Sequence, residues 1–526
     1  MKKSAIWFLV LLILLLFLTA TAQAEGGNFG KGLNWSLNSQ GVLTISGNGP
    51  IPDFADYFEY SNASPWNKYR SKIKSVVINP GITAVGDNAF SDCEKLASVT
   101  LPDSVTRIGD YAFAWCYAMR QVTFPEHLTT LGYCAFVEAP LTSVSLPAEV
   151  NELHWPFCGC DELTAINVDA TNPYFSSVDG VLYNKDRTVL IEYPSAKPGE
   201  SFTVPNGVER IGRSAFYGCH LSSLTFSETV NHIDSFALPY CQNLTEITIP
   251  GNIKEIESNA FSCCNYLKTV RLCEGIEIIG PDVFESCAIE TIDIPASVTV
   301  LGNEYGHPFS RCWSLREIRV EEDNPFYTAR NGVLFSKDME ELVTFPLGKE
   351  QWAYNVPSTV RKIRPYAFSE CMMLSYITLP QNLEQIEDFA FEGSMLSIIS
   401  VPASLKNVGL CAFRYCENLS DVCYAGNAEQ WQAISFDEEN DSIINANIHY
   451  NAYWYYIDIS IPSCVTKIES ETFANIPDDS VVYIHDNVTF IADDAFKGVN
   501  GLVICGVPGS QAETFATSKG YTFFGQ

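Results

Sequence analysis

Positive charge is scarce in this chain: 32 Lys and Arg stand against 62 Asp and Glu, a formal net charge of −30 over 526 residues. So acidic a surface repels nucleic-acid phosphates and anionic lipid headgroups, which argues against nucleic acid and peripheral membranes as partners. Histidine is scarcer still. His127, His154, His220, His232, His307, His449 and His485 are scattered without an HExxH, and the sequence holds no GxSxG elbow, no Walker loop and no GxGxxG after a strand. The reading is therefore of no enzyme, with no catalytic, cofactor-binding or metal residues. After Leu18 no apolar run is long enough to span a bilayer. What remains is 47% hydrophobic and 18% charged, which supports a sizeable folded core rather than disorder.

Lys2 and Lys3 precede an apolar run from Ala5 to Leu18, followed by small residues ending in Ala22-Gln23-Ala24. That order is a basic region, an apolar region and a cleavage site, so residues 1–24 read as a signal peptide. The mature chain is expected to be extracellular, secreted or at the cell surface, with no membrane insertion after signal removal.

Phenylalanines recur at 90, 113 and 136, at 261 and 284, at 368, 391 and 413, and at 473 and 496, always 22 or 23 apart within a group. Phe157, Phe216, Leu238 and Phe309 complete fourteen anchors. Five residues earlier stands an apolar slot such as Val85, Ile108, Ile211, Ile256 or Ile386, and three residues later a cysteine such as Cys93, Cys116, Cys241 or Cys371. Self-similarity at this period means a solenoid. Each unit also carries an alternating stretch closed by proline, as in Leu244-Thr245-Glu246-Ile247-Thr248-Ile249-Pro250. β-branched residues alternating with Ser or Thr read as a strand with one buried face, giving one strand per turn and parallel stacking between turns.

The unit Val105-Thr106-Arg107-Ile108-Gly109-Asp110-Tyr111-Ala112-Phe113-Ala114-Trp115-Cys116 resembles the BspA-type leucine-rich repeat, also called the Treponema pallidum type, of bacterial surface and secreted proteins. The likeness covers most of 77–424 and returns at 461–500. Leu238 in place of Phe, and Asp234, Glu257, Arg364 or Glu387 in place of the glycine after the Ile slot, depart from it. The resemblance implies a non-catalytic adhesion or recognition scaffold built on a β-rich leucine-rich repeat solenoid of stacked parallel strands.

Asn172-Pro173-Tyr174-Phe175 through Asp179-Gly180-Val181-Leu182-Tyr183 matches Asn324-Pro325-Phe326-Tyr327 through Asn331-Gly332-Val333-Leu334-Phe335, offset by 152 residues. Asp-Gly and Asn-Gly between apolar residues predict hairpins with type I′ turns. The organisation expected is a β-rich N-terminal cap at 25–76, the solenoid at 77–424 with hairpin insertions about 168–200 and 320–352, an irregular appended module at 425–452, and final repeats with a C-terminal cap at 453–526. Ser510 and Glu513 are placed to begin a capping helix.

Ten of the eighteen cysteines fill one repeat slot, where a thiol packs as a small buried hydrophobe. Cys134 and Cys411 share a second slot two residues before the anchor. Cys158, Cys263, Cys273, Cys423, Cys464 and Cys505 are the candidates for disulfides, in pairings the sequence does not dictate. Neither Cys158-Gly159-Cys160 nor Cys263-Cys264 has the paired spacing of a zinc site.

The surface that the repeat leaves outward is the polar face of the strands. It includes Ser98, Thr100, Thr123, Ser143, Ser145, Ser223, Thr225, Thr248, Thr269, Arg271, Thr291, Asp293, Glu317, Arg319, Tyr376 and Thr378. Hydroxyls suit a strand by propensity, and they also offer donors and acceptors to an extracellular protein or glycan. A structural spacer or self-associating surface component is the alternative reading, and oligomeric state stays open.

Overall fold

The computed structural model describes residues 25–54, 63–303, 305–452, 459–461, 465–474, 476 and 480–525. The signal peptide and Cys464 lie outside them. The chain divides between Asn243 and Leu244 into two compact units.

In the first unit the cap is an antiparallel meander of Glu25–Phe29, Leu33–Leu37 and Val42–Ser46, and the last of these pairs in parallel with Ser75–Ile78. Parallel pairing then carries the chain from turn to turn. Each regular turn contributes two strands, not the one its sequence suggests. The longer strand is the alternating stretch, as where Ser143–Leu146 pairs with Ala165–Val168 and Ser201–Thr203 with Ser223–Thr225. The second is a two-residue strand at the Ile slot, as in the ladder of Ala84–Val85, Arg107–Ile108, Thr130–Leu131 and Glu152–Leu153. Two residues are too few to show an alternation, so this second ladder left no period-2 signal.

The second unit repeats the pattern. Its longer strands pair as Glu246–Ile249 with Thr269–Leu272 and Thr291–Ile294 with Glu317–Val320, then as a five-strand sheet from Ala353–Asn355 to Asn447–Tyr450. The 425–452 segment is one more turn of the same coil. Its strands Ser435–Phe436 and Asn447–Tyr450 extend both ladders, and two short helices, Ala428–Gln432 and Asp441–Ile444, connect them.

Between the ladders each anchor ring lies on the next. In the first unit Trp66, Phe90, Phe113, Phe136 and Phe157 stack with centroids 5.5, 5.3, 5.3 and 6.0 Å apart. In the second, Phe345, Phe368, Phe391 and Phe413 stack at 5.3, 4.9 and 4.9 Å. Tyr193 and Phe345 are anchors too. Each lies in a hairpin insertion 23 residues before the next anchor, and Tyr193 stacks on Phe216 at 5.3 Å. Each insertion thus supplies the ring on which the next anchor stacks.

The backbone at each anchor is unusual. Residues two before and two after it commonly have left-handed φ without being glycine, as at Asn88 (56°) and Asp92 (57°), or Tyr111 (53°) and Trp115 (58°). Such conformations cost about 1 kcal/mol or more per residue. They turn alternate N–H groups onto the neighbouring turn: Tyr111, Phe113 and Trp115 donate to the carbonyls of Tyr133, Ala135 and Val137 at 2.8–2.9 Å. This explains the second cysteine slot, since Cys134 (49°) and Cys411 (53°) occupy the left-handed position.

Both hairpins form as expected. Val178 pairs with Val181 around Asp179-Gly180, and Arg330 with Val333 around Asn331-Gly332, with positive φ at all four central residues. A buried asparagine starts each one. The Asn324 amide donates to the carbonyls of Pro295 and Val298 at 2.8 and 3.0 Å and accepts from the N–H groups of Phe326 and Tyr327; Asn172 does the same with Pro147, Val150, Tyr174 and Phe175. All of its polar valences are used without water, which is how a buried amide is tolerated.

At the C-terminus a helix spans Gln511–Lys519, but the capping pattern differs from the one expected. The Ser510 side chain makes no capping bond, and Glu513 instead accepts the N–H of Gly509 at 2.6 Å.

Removing one ring should open a cavity between its two neighbours. Phe391→Ala is expected to destabilise the fold by about 3–5 kcal/mol in urea titration, against less than about 0.5 kcal/mol for Thr291→Ala on the exposed face.

Candidate functional site

The longer strands bury alternate residues and leave the rest in water. In the first unit Ser98, Thr100, Thr123, Ser143, Ser145, Ser223 and Thr225 are exposed, whereas Val144 and Leu224 between them are buried. Thr123 lies in a segment without strand pairing. In the second unit Thr248, Thr269, Arg271, Thr291 and Asp293 are exposed over buried Ile247, Val270 and Ile292. Strand register aligns these residues in rows. Ser145 faces Asn167, Ser201 faces Ser223, Thr203 faces Thr225, and Thr248 faces Arg271. Asn167, Ser201 and Thr203 belong to the face but were missed, because the first insertion interrupts the repeat count around them. A step of 22 residues back from Ser223 and Thr225 recovers the last two.

Further along the second unit the face becomes charged. Thr291 and Asp293 register with Glu317 and Arg319, and the Arg319 guanidinium lies 2.6 Å from Glu317 and 3.7 Å from Asp293. Tyr376 and Thr378 are half-buried rather than open to solvent. The final repeats fold back over this part of the sheet. Trp352 meets Tyr376 edge-on at 5.1 Å and Phe473 at 5.3 Å, and one apolar cluster joins Trp352 and Ala353 to Ile461, Phe473 and Phe496. The Asn355 amide fastens the contact by donating to the carbonyls of Thr472 and Ala474 at 3.0 and 2.9 Å. Outward on these strands are Ala353, Tyr376 and Ile398 in one row and Asn355, Thr378 and Ser400 in the next, and covering the first row removes apolar surface from water.

Along the turn edge of the first unit runs a row of aromatic side chains that the repeat pattern did not single out. Tyr111, Tyr133 and Trp155 follow one another at 5.5 and 5.8 Å, and the Arg213 guanidinium lies between Trp155 and Phe236, 5.0 and 5.1 Å from the ring centroids. The second unit has a shorter version, with Tyr366 stacked on Phe389 at 4.9 Å and Arg414 over Phe389 and Tyr415. These rings are partners for one another and for arginine, an arrangement worth about 0.5–1 kcal/mol per cation at exposed sites.

Among the described residues the cysteines form no disulfide. Several of the ladder thiols have another role, donating weakly to the backbone carbonyl of the preceding anchor: Cys116 to Phe90 at 3.4 Å, Cys160 to Phe136 at 3.2 Å, Cys312 to Phe284 at 3.0 Å and Cys416 to Phe391 at 3.0 Å. Burial pushes Cys93 and Cys312 up to about 12, so these thiols stay protonated and unreactive. The bridge candidates are fixed in separate segments: Cys423 and Cys505 are buried in strands, and Cys158, Cys263 and Cys273 are half-buried.

One internal cavity of about 10 Å³ is lined by Trp155, Cys158, Cys160, Glu192 and Tyr217. It has room for about one water and none for a substrate. Burial pushes the Glu192 carboxyl up to about 8, so it is a neutral acid in the fold. No described helix is long and apolar enough to cross a membrane.

A solenoid with two parallel ladders, a phenylalanine core and a cysteine rung is a leucine-rich repeat array. The chain matches the family described as the BspA type leucine rich repeat region, in 6 copies, over residues 68–178, 195–316, 349–453 and 443–503, and it belongs to that family. No curated protein matches it. Among solved structures, a leucine-rich repeat protein from Eubacterium ventriosum is 25% identical over 75% of this chain and 95% of its own, with a TM-score of 0.48. A leucine rich cell surface protein from Faecalibacterium prausnitzii is 22% identical over 80% of this chain and 99% of its own, with a TM-score of 0.34. The pneumococcal vaccine antigen PcpA is 16% identical over 97% and 100%, with a TM-score of 0.39.

The raised Glu192 carboxyl has a consequence for stability. The folded state keeps a proton that the unfolded chain releases above its ordinary value of 4.5, so this group favours folding below pH 4.5 and that support is lost as pH rises towards 8. Glu192→Gln removes the dependence. The variant is expected to melt above the parent at pH 8, with the difference vanishing below pH 4.5.

Proposed function

We propose that the protein is a secreted or cell-surface, non-catalytic binding protein, and that it uses the exposed face of its longer strands to contact extracellular proteins or glycans. The observation that carries this reading is the face itself. Rows of exposed Ser and Thr lie in register over a buried apolar layer, a wide and rigid polar surface that costs little to order on binding. The family supports the same reading, since leucine-rich repeat arrays are scaffolds whose extended sheets present partners with a continuous surface. Export rests on the basic and apolar leader with its Ala22-Gln23-Ala24 end.

Two measurements test it. Protein recovered from the medium of expressing cells should begin at Glu25; retention of Lys2 and Lys3 would overturn export. The mature protein should capture a defined subset of immobilised matrix proteins or glycans, and Ser223→Arg with Thr225→Arg, or Thr269→Arg with Thr291→Arg, should weaken that capture at least tenfold without lowering the melting temperature. Capture indifferent to both pairs would overturn the role of the face.

A further inference from the structure

Where the final repeats fold back over the sheet of the second unit, they leave an open groove beside the covered strands. Its volume is about 1150 Å³, and its walls come from the strand at Glu317–Val320, the tip of the second hairpin, the segment from Lys349 to Ser358, the loop after Thr378, and the turns at Glu469–Glu471 and Lys497. The groove exists because the insertion interrupts the row of longer strands: the hairpin tip takes the edge of Glu317–Val320, where the Ile318 N–H donates to the Gly332 carbonyl at 2.9 Å, and the sheet resumes at Ala353.

The charge of this groove is opposite to that of the chain. Among the described residues five cationic side chains line it against three carboxylates, in a protein with nearly two acidic residues for every basic one. Internal pairing consumes only part of the positive charge. Arg319 is held by Glu317 at 2.6 Å, while Arg330 and Lys497 share a single carboxylate, Glu471, at 2.6 and 2.8 Å. Arg316 is paired outside the groove, with exposed Glu350 at 3.2 Å. Lys349 has no ion pair among the described residues; burial lowers its affinity for the proton, and Glu469 and Glu317 pull on it through space. A half-buried ammonium without a contacting carboxylate is costly, and an arriving anion relieves that cost.

The remaining walls decide which anion. The side-chain amides of Asn331, Gln381 and Asn382 and the hydroxyls of Ser358 and Thr378 offer donors and acceptors side by side, the complement of a polyhydroxylated ligand. A docked peptide draws its affinity chiefly from aromatic or aliphatic anchors in apolar pockets, or from a sheet edge it can extend. Here the edge of Glu317–Val320 is taken by the hairpin tip, where the Ile318 N–H donates to the Gly332 carbonyl.

We propose that this groove is a binding site for an acidic saccharide, a chain of sugar rings bearing carboxylates, with Lys349 and Arg316 contacting the carboxylates and the amides contacting the hydroxyls. It names a ligand class within the proposed non-catalytic binding function and rests on that reading, but on residues other than those of the open face.

The test is calorimetric titration of the whole mature protein with tetragalacturonate, its fully methyl-esterified neutral counterpart, and tetraglutamate. The expected result is measurable binding of tetragalacturonate that weakens at least tenfold with the neutral ester and with tetraglutamate, and at least tenfold in Lys349→Gln and in Arg316→Gln, with melting temperatures unchanged. Ser223→Arg with Thr225→Arg should leave this binding intact. No binding of tetragalacturonate, equal binding of tetraglutamate, or binding indifferent to both groove substitutions overturns the proposal. Loss of it while the open-face variants still abolish capture of matrix ligands would sink the groove and leave the wider reading standing.

Discussion

The contact on which everything else depends is the one between an anchor and its counterpart on the next turn. A turn of 22 or 23 residues has too little apolar surface to pack by itself, and here its ring, its Ile and its cysteine are buried with the help of the neighbouring turns. The backbone takes part as well. Left-handed residues beside most anchors aim N–H groups along the stack, and anchor amides donate to the following turn at 2.7–2.9 Å, as Phe113 does to Ala135 and Phe368 to Ala390. The strain of those conformations is offset by hydrogen bonds that exist only when the next turn is in place.

Function follows from what this stacking leaves over. Because the interior is filled by rings, thiols and short strands, what remains for chemistry is surface: a hydroxyl face in register, an aromatic edge locked by arginine, and a cationic groove beside the folded-back repeats. The cavity beside Glu192 has room for about one water. Such an architecture presents its polar groups at the surface, in rows and in the groove.

Much of the fold was legible because the core is periodic. Phe90, Phe113 and Phe136 declare their own spacing, and Asp179-Gly180 and Asn331-Gly332 declare their turns, since few other dipeptides accept positive φ twice in succession. The rest was hidden for identifiable reasons. The second ladder is two residues long in each turn. Most of the left-handed positions are filled by residues such as Asn, Tyr, Cys, Ser and Asp, with glycine only at some, such as Gly159 and Gly218, so no uniform composition signal marks them. Tyr193 and Phe345 keep the 23-residue spacing to the anchor that follows, but the hairpin residues in front of them break the spacing to the anchor before. Of the face, Ser143 and Thr225 could be placed from alternation, whereas the covering of Tyr376 and Thr378 depends on repeats about a hundred residues later, which no local pattern reports.

Amide hydrogen exchange read by mass spectrometry tests the central claim most directly, in the short segments around the anchors that look like loops in sequence and contain neither helix nor long strand. If turns complete one another, peptides covering 109–117 and 387–393 exchange as slowly as the adjoining strands and open only with global unfolding. Exchange of those amides within seconds in the native protein would contradict the account.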